Sequence, residues 1–111
     1  MRKIAKVSNN EEVKRIMLYE CEDGVYIFEY DNEHDSSATA DYLQDSVEIV
    51  YEIAEEDYGV KPGDWQEISN PMEFCQGDRI EPVRVVGRNT GNPQWGKLEK
   101  LVSGNWVPLI E

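Results

Sequence analysis

The sequence predicts an α+β fold, an antiparallel sheet of about five or six strands with one main helix, residues 45–58, packed on one face. Two observations carry that expectation. The stretch DSVEIVYEIAEEDYG, residues 45–59, sets apolar residues at helical spacing between a start signal and a stop signal. On both sides of it, β-rich runs of alternating side chains are separated by turn-forming residues. The length of 111 residues suits a single domain, 1–111, with one core.

Taken in order, residues 2–7 (RKIAKV) form a short basic strand. Residues 13–21 and 25–30 are β-rich, and Glu22-Asp23-Gly24 between them supplies a hairpin turn. A capping-box pattern at Ser8-Asn-Asn-Glu11 offers a competing helix through Val13, Ile16 and Met17, so residues 9–20 admit both readings, with strands favoured. Val25 and Ile27 on one side of the next strand, and Tyr26, Phe28 and Tyr30 on the other, suggest a strand covered on both faces. Residues 31–37 are a polar turn, and residues 37–43 read as a third strand of this group because Thr39 and the following cap disfavour helix.

In the helix, Asp45 is the expected N-cap, with Glu48 completing a capping box and Gly59 taking the left-handed C-terminal position. At about 100° per residue, Val47, Val50, Tyr51, Ala54 and Tyr58 share one face. Asp45, Glu48, Glu52, Glu55 and Glu56 gather on the other, with no Lys or Arg interleaved. Beyond Gly59 come a loop with an extended piece at 65–68, and a strand within 80–88 that has Pro82 at its start or at a sheet edge. The turn-rich stretch 88–96 follows, and residues 97–102 and 106–110 flank Ser103-Gly104-Asn105 as a closing hairpin.

The acidic stripe works against helix stability. Glu48–Glu52 and Glu52–Glu56 are like-charge pairs one turn apart, each unfavourable by about 0.2–0.5 kcal/mol. Glu55, Glu56 and Asp57 crowd the negative end of the helix dipole, which brings the total to roughly 1–3 kcal/mol at low salt. A stripe that breaks a local rule without compensation marks a candidate functional surface. An acidic helix kept for solubility alone would read the same way.

Charge bounds the function classes. The formal net charge is −12, and between Ile16 and Val60 there are fourteen Asp or Glu and no Lys or Arg. Phosphate-directed nucleic-acid binding and anionic membranes are disfavoured, and a basic protein partner is favoured. Cys21 and Cys75 are isolated and form no disulfide framework, and no apolar run approaches the roughly 20 residues that cross a bilayer. A cytoplasmic location is the expectation.

Little in the chain suggests catalysis, and no enzyme activity, cofactor or metal is expected. His34, the only histidine, lies in a polar turn, and neither cysteine comes with a base by motif. Gly87-Arg-Asn-Thr-Gly91 lacks a phosphate-binding lysine. Arg84 and Arg88 project from the same face of their expected strand.

The segments DWQEISNP, GDRIEPVRVVGR and GNPQWGKLEKL resemble a family of small acidic bacterial proteins without an assigned function, a likeness covering most of the chain from Cys21 onward. In general build the chain is also similar to immunity proteins that neutralise bacterial toxins, a likeness of kind and not of motif. Together these readings predict a non-enzymatic protein-binding module, an immunity or inhibitor protein whose helix carboxylates Asp45, Glu48, Glu52, Glu55 and Glu56 meet a basic, nuclease-like toxin. Tyr42 and Ile49 are the candidate apolar anchors. The alternative is a small-ligand protein or enzyme with a pocket lined by Trp65, Trp95, Arg84 and Arg88. Both a monomer and a homodimer joined through an open strand edge fit the sequence.

Overall fold

Alternating side chains over the first thirty residues produce three strands that pair in chain order, and a fourth follows the polar turn. In the computed structural model, which describes residues 1–110, these are β1 (Arg2–Lys6), β2 (Arg15–Cys21), β3 (Gly24–Tyr30) and β4 (Ala40–Gln44). The helix α1 (Val47–Tyr58) and the short β5 (Gln66–Ile68) complete a first compact unit, Met1–Asn70. A second unit begins at Pro71 and holds β6 (Val83–Val85), β7 (Leu98–Val102) and β8 (Asn105–Leu109). The α+β class and the single main helix are as expected, with the strands divided between two antiparallel sheets of five and three.

The five-stranded sheet has the order β4-β3-β2-β1-β5, all antiparallel, so β4 and β5 are its edges. Cys21 opposes Gly24 across the Glu22-Asp23 turn, and that register settles residues 15–21 as strand. The competing cap survives only as a local turn, in which the Asn10 side chain accepts from the amides of Glu12 and Val13. Register places Ala5, Ile16, Leu18, Val25 and Ile27 on one face, where they meet Val50, Ala54 and Tyr58 of α1. Val47, Tyr51 and Ile53 flank that contact, half-buried. On the other face lie Met17, Phe28 and Tyr30, all buried, so β3 is covered on both sides as its composition implied.

α1 starts one residue later than the sequence suggested. Ser46, not Asp45, is the N-cap, with extended backbone and its Oγ accepting from Ile49 N at 3.3 Å. Both residue types cap well, but only the hydroxyl at 46 stands three residues before an amide that leaves Val50 and Ala54 facing the sheet. Gly59 closes the helix at φ 68°, and the Val60 amide donates to Ala54 O at 3.0 Å. A β-carbon at Gly59 would also lie 2.6 Å from the side-chain amide of exposed Asn9, which would have to turn aside, while the positive φ is what favours glycine here.

In the second unit the strand expected within 80–88 contracts to three residues directly after Pro82, which lacks an amide hydrogen and reaches β7 only through its carbonyl, accepting from Leu101 N at 3.2 Å. Arg88 is not on that strand; it opens a 3-10 turn, Arg88–Thr90, between Gly87 and Gly91. β7 and β8 form the expected closing hairpin, with Ser103 and Gly104 both at positive φ, as a two-residue turn of this hand requires.

Candidate functional site: the carboxylate face of α1 and its surroundings

Because Val50, Ala54 and Tyr58 turn α1 onto the sheet, its remaining positions are set by the helical repeat. Glu48, Glu52, Glu55 and Glu56 all come out exposed, with Asp45 exposed just ahead of the cap. The row is compensated at one point. Lys61, two residues beyond the helix, places its Nζ 2.9 Å from Glu55 Oε1 with both side chains largely in water. Such a pair contributes at most about 1 kcal/mol. Among the described residues no cation pairs with Asp45, Glu48, Glu52 or Glu56.

Two neighbouring features enlarge the acidic surface. The β2–β3 turn lies beside the start of α1, and Glu20, Glu22 and Asp23 line a concavity with Asp45, Ser46 and Glu48. Along the other flank, an open groove of about 460 Å³ separates β4 from the helix, lined by Tyr42, Gln44, Ile53, Asp57, Glu12 and Glu29 among others. Sequence reasoning did not include Glu12, Glu20, Glu22, Asp23, Glu29 or Asp57 in the site. For all but Glu12 the available signal was the series of acids from residue 20 to 57, unbroken by Lys or Arg; Asp57 lies on α1 itself, and strand register shows that Glu20, Glu22, Asp23 and Glu29 come beside it.

At the foot of the groove the Tyr58 hydroxyl donates to Glu29 Oε2. Burial, followed by this bond, raises the phenol's pKa above its ordinary value, so the hydroxyl keeps its proton and stays the donor. Of the two anchor candidates, Tyr42 is exposed on β4 and Ile49 half-buried on α1. Among the described residues no group of three or more His, Cys, Asp or Glu is arranged to hold a metal ion.

The residues of the alternative pocket are distributed over both units. Trp65 packs against Tyr51 beside the helix core of the first unit, ring centroids 5.9 Å apart, its indole nitrogen buried without an acceptor. In the second unit Arg84 donates to Glu99 Oε1 at 2.8 Å and lies 3.7 Å over the Trp106 ring, so its charge is already neutralised. Arg88 donates to Phe74 O, and Trp95 is three-quarters exposed. His34 is exposed, and its backbone carbonyl accepts from Arg15 Nη2. Cys21 and Cys75 are free thiols, and burial raises the pKa of Cys75, which disfavours the thiolate. Among the described residues no helix is long and apolar enough to cross a membrane.

Comparison with protein-family models, with curated proteins and with solved structures finds no match to this chain.

Proposed function

We propose that this chain is a non-enzymatic binding module that presents the carboxylate face of α1 to a basic protein surface, in the manner of an immunity or inhibitor protein acting on a nuclease-like toxin. The observation that carries the reading is the exposed, nearly uncompensated row Asp45, Glu48, Glu52 and Glu56, in which the like-charge pairs Glu48–Glu52 and Glu52–Glu56 work against the helix that carries them. Opposed potentials steer encounter, raising association rates well above the roughly 10⁵–10⁶ M⁻¹s⁻¹ of uncharged surfaces, and they reject acidic competitors. A nuclease cleft is built to receive phosphates, so an array of carboxylates can occupy it. Lasting affinity needs apolar anchors beside the charge, which Tyr42 and Ile49 supply.

The triple variant Glu48→Gln, Glu52→Gln, Glu56→Gln tests this. It is expected to fold as the parent does and to melt slightly higher, while its capture of basic proteins falls at least about tenfold and loses most of its salt dependence. Unchanged capture by the triple variant would remove the basis of the reading.

A further inference from the structure

The carboxylates explain attraction but not how a partner is held in one pose, and the sheet beside them supplies a means. A strand edge offers a row of amide and carbonyl groups to any passing chain, so folded proteins keep edge strands short, interrupt them with Pro or Lys, or cover them. Among the described residues three of the four sheet edges follow that rule closely, and the fourth, β4, has only the exposed charge of Asp41 to guard it. β5 and β6 are three residues long, β6 is further occupied by a bridge between Cys75 and Arg84, and β8 carries Pro108. β4 runs for five residues, ADYLQ, with no Pro or Lys, and Asp41, Tyr42 and Leu43 are exposed.

We infer that β4 is a docking edge for an extended, lysine- or arginine-bearing segment of a partner protein, which adds to the five-stranded sheet as a sixth strand beside Ala40–Gln44. This deepens the proposed function and rests on it, since charge selects the occupant. Side chains of an added strand alternate between two faces. Those on the helix side enter the groove where Tyr42 and Ile53 offer apolar contact and Glu29 and Asp57 offer carboxylates. Those on the other side pass Asp41 and Leu43. Every acceptor along this path favours a cation, and the apolar residues suit the aliphatic stems of Lys and Arg. A second copy of the chain is the wrong occupant, because pairing β4 with β4 would bring another charge of −12 against the first and set Asp41 and the helix carboxylates near their own kind.

The probe is a terminally blocked peptide of about nine residues alternating Lys and Val, compared with the same sequence N-methylated throughout. The second keeps every charge and side chain but donates no backbone hydrogen bond. Strand addition predicts that the first peptide binds with salt-dependent affinity and slows amide exchange in Ala40–Gln44, and that the methylated form binds about tenfold or more weakly. Equal binding of both peptides, with perturbation confined to α1, would overturn strand addition while leaving the acidic-face reading intact. Binding by neither peptide would also overturn it, and the triple Gln variant assayed on basic proteins then decides the parent reading separately. Protection of the β4 amides without peptide, in a dimer seen by sedimentation, would assign the edge to a second copy and refute the inference.

Discussion

Tyr58 ties the last turn of α1 to β3 through its hydroxyl and Glu29, so one proton sits where helix, sheet and groove meet. Burial and that bond hold the phenol's pKa above its ordinary 10.0, which means the folded chain binds the proton more tightly than the unfolded one. The stability this contributes is complete below about pH 10 and is lost as pH rises beyond it. Tyr58→Phe should therefore cost about 1 kcal/mol near neutrality and flatten the alkaline fall in stability, as urea unfolding across pH would record. Arg15 makes a different case. Its guanidinium lies 3.7 Å over the Tyr30 ring and donates through Nη2 to His34 O, while Nε and Nη1 are buried without acceptors and burial lowers the group's pKa. Stacking a planar ion on a ring is something Lys cannot reproduce, yet Lys would carry the same desolvation penalty. Arg15→Lys should thus destabilise by about 2 kcal/mol and Arg15→Met by less than about 1 kcal/mol, an order that chemical denaturation can test. Nothing in the sequence distinguished Arg15 from Lys14, because burial at one β register position depends on strand partners that sequence does not name.

For the elements, the cap of α1 separates two residues that look interchangeable in sequence. Ser46→Ala should cost about 1 kcal/mol and Asp45→Ala only a few tenths, and thermal melts of the pair would show which of them satisfies the first turn. The helix itself was legible because its apolar spacing, its acidic stripe and Gly59 all agreed. The expectation failed by one residue at its start, where Asp and Ser compete as caps and packing on the sheet decides. The β2–β3 hairpin was legible from Glu22-Asp23-Gly24, and the β7–β8 hairpin from Ser103-Gly104. The strand expected within 80–88 is longer than the one formed, since the β-branched residues Ile80, Val83, Val85 and Val86 suggest an extended run and only pairing shows that three residues of it join a ladder. Of the site, the exposed carboxylates of α1 could be read directly from helical phase. The acids of the β2–β3 turn and Glu29 could not, since they reach the helix through strand order.

Across the whole molecule, charge is the dominant feature. The chain carries −12, and the excess is concentrated in residues 16–60. Most of the repulsion acts between exposed groups, so it is screened by salt. Raising ionic strength from about 10 mM to about 500 mM should lift the melting temperature by about 5 °C, in contrast to a protein held together by surface ion pairs. Scanning calorimetry at both salts would show it, and a melting temperature that falls with salt would mean that pairs such as Lys61–Glu55 outweigh the repulsion. The division of strands into sheets of five and three follows from pairing between segments distant in sequence, for example Arg2 opposite Ile68, and no local pattern announces such a partner.

Only Asp45 and Ser46 lie between the end of β4 and the first turn of α1. A tether that short has no slack, so whatever stiffens the strand must also quiet the residue that holds the first turn closed. Under the proposed strand addition, exchange of the Ile49 amide, bonded to Ser46 Oγ, is therefore expected to slow together with the amides of Ala40–Gln44, whereas slowing at Ile49 alone would point to the helix face.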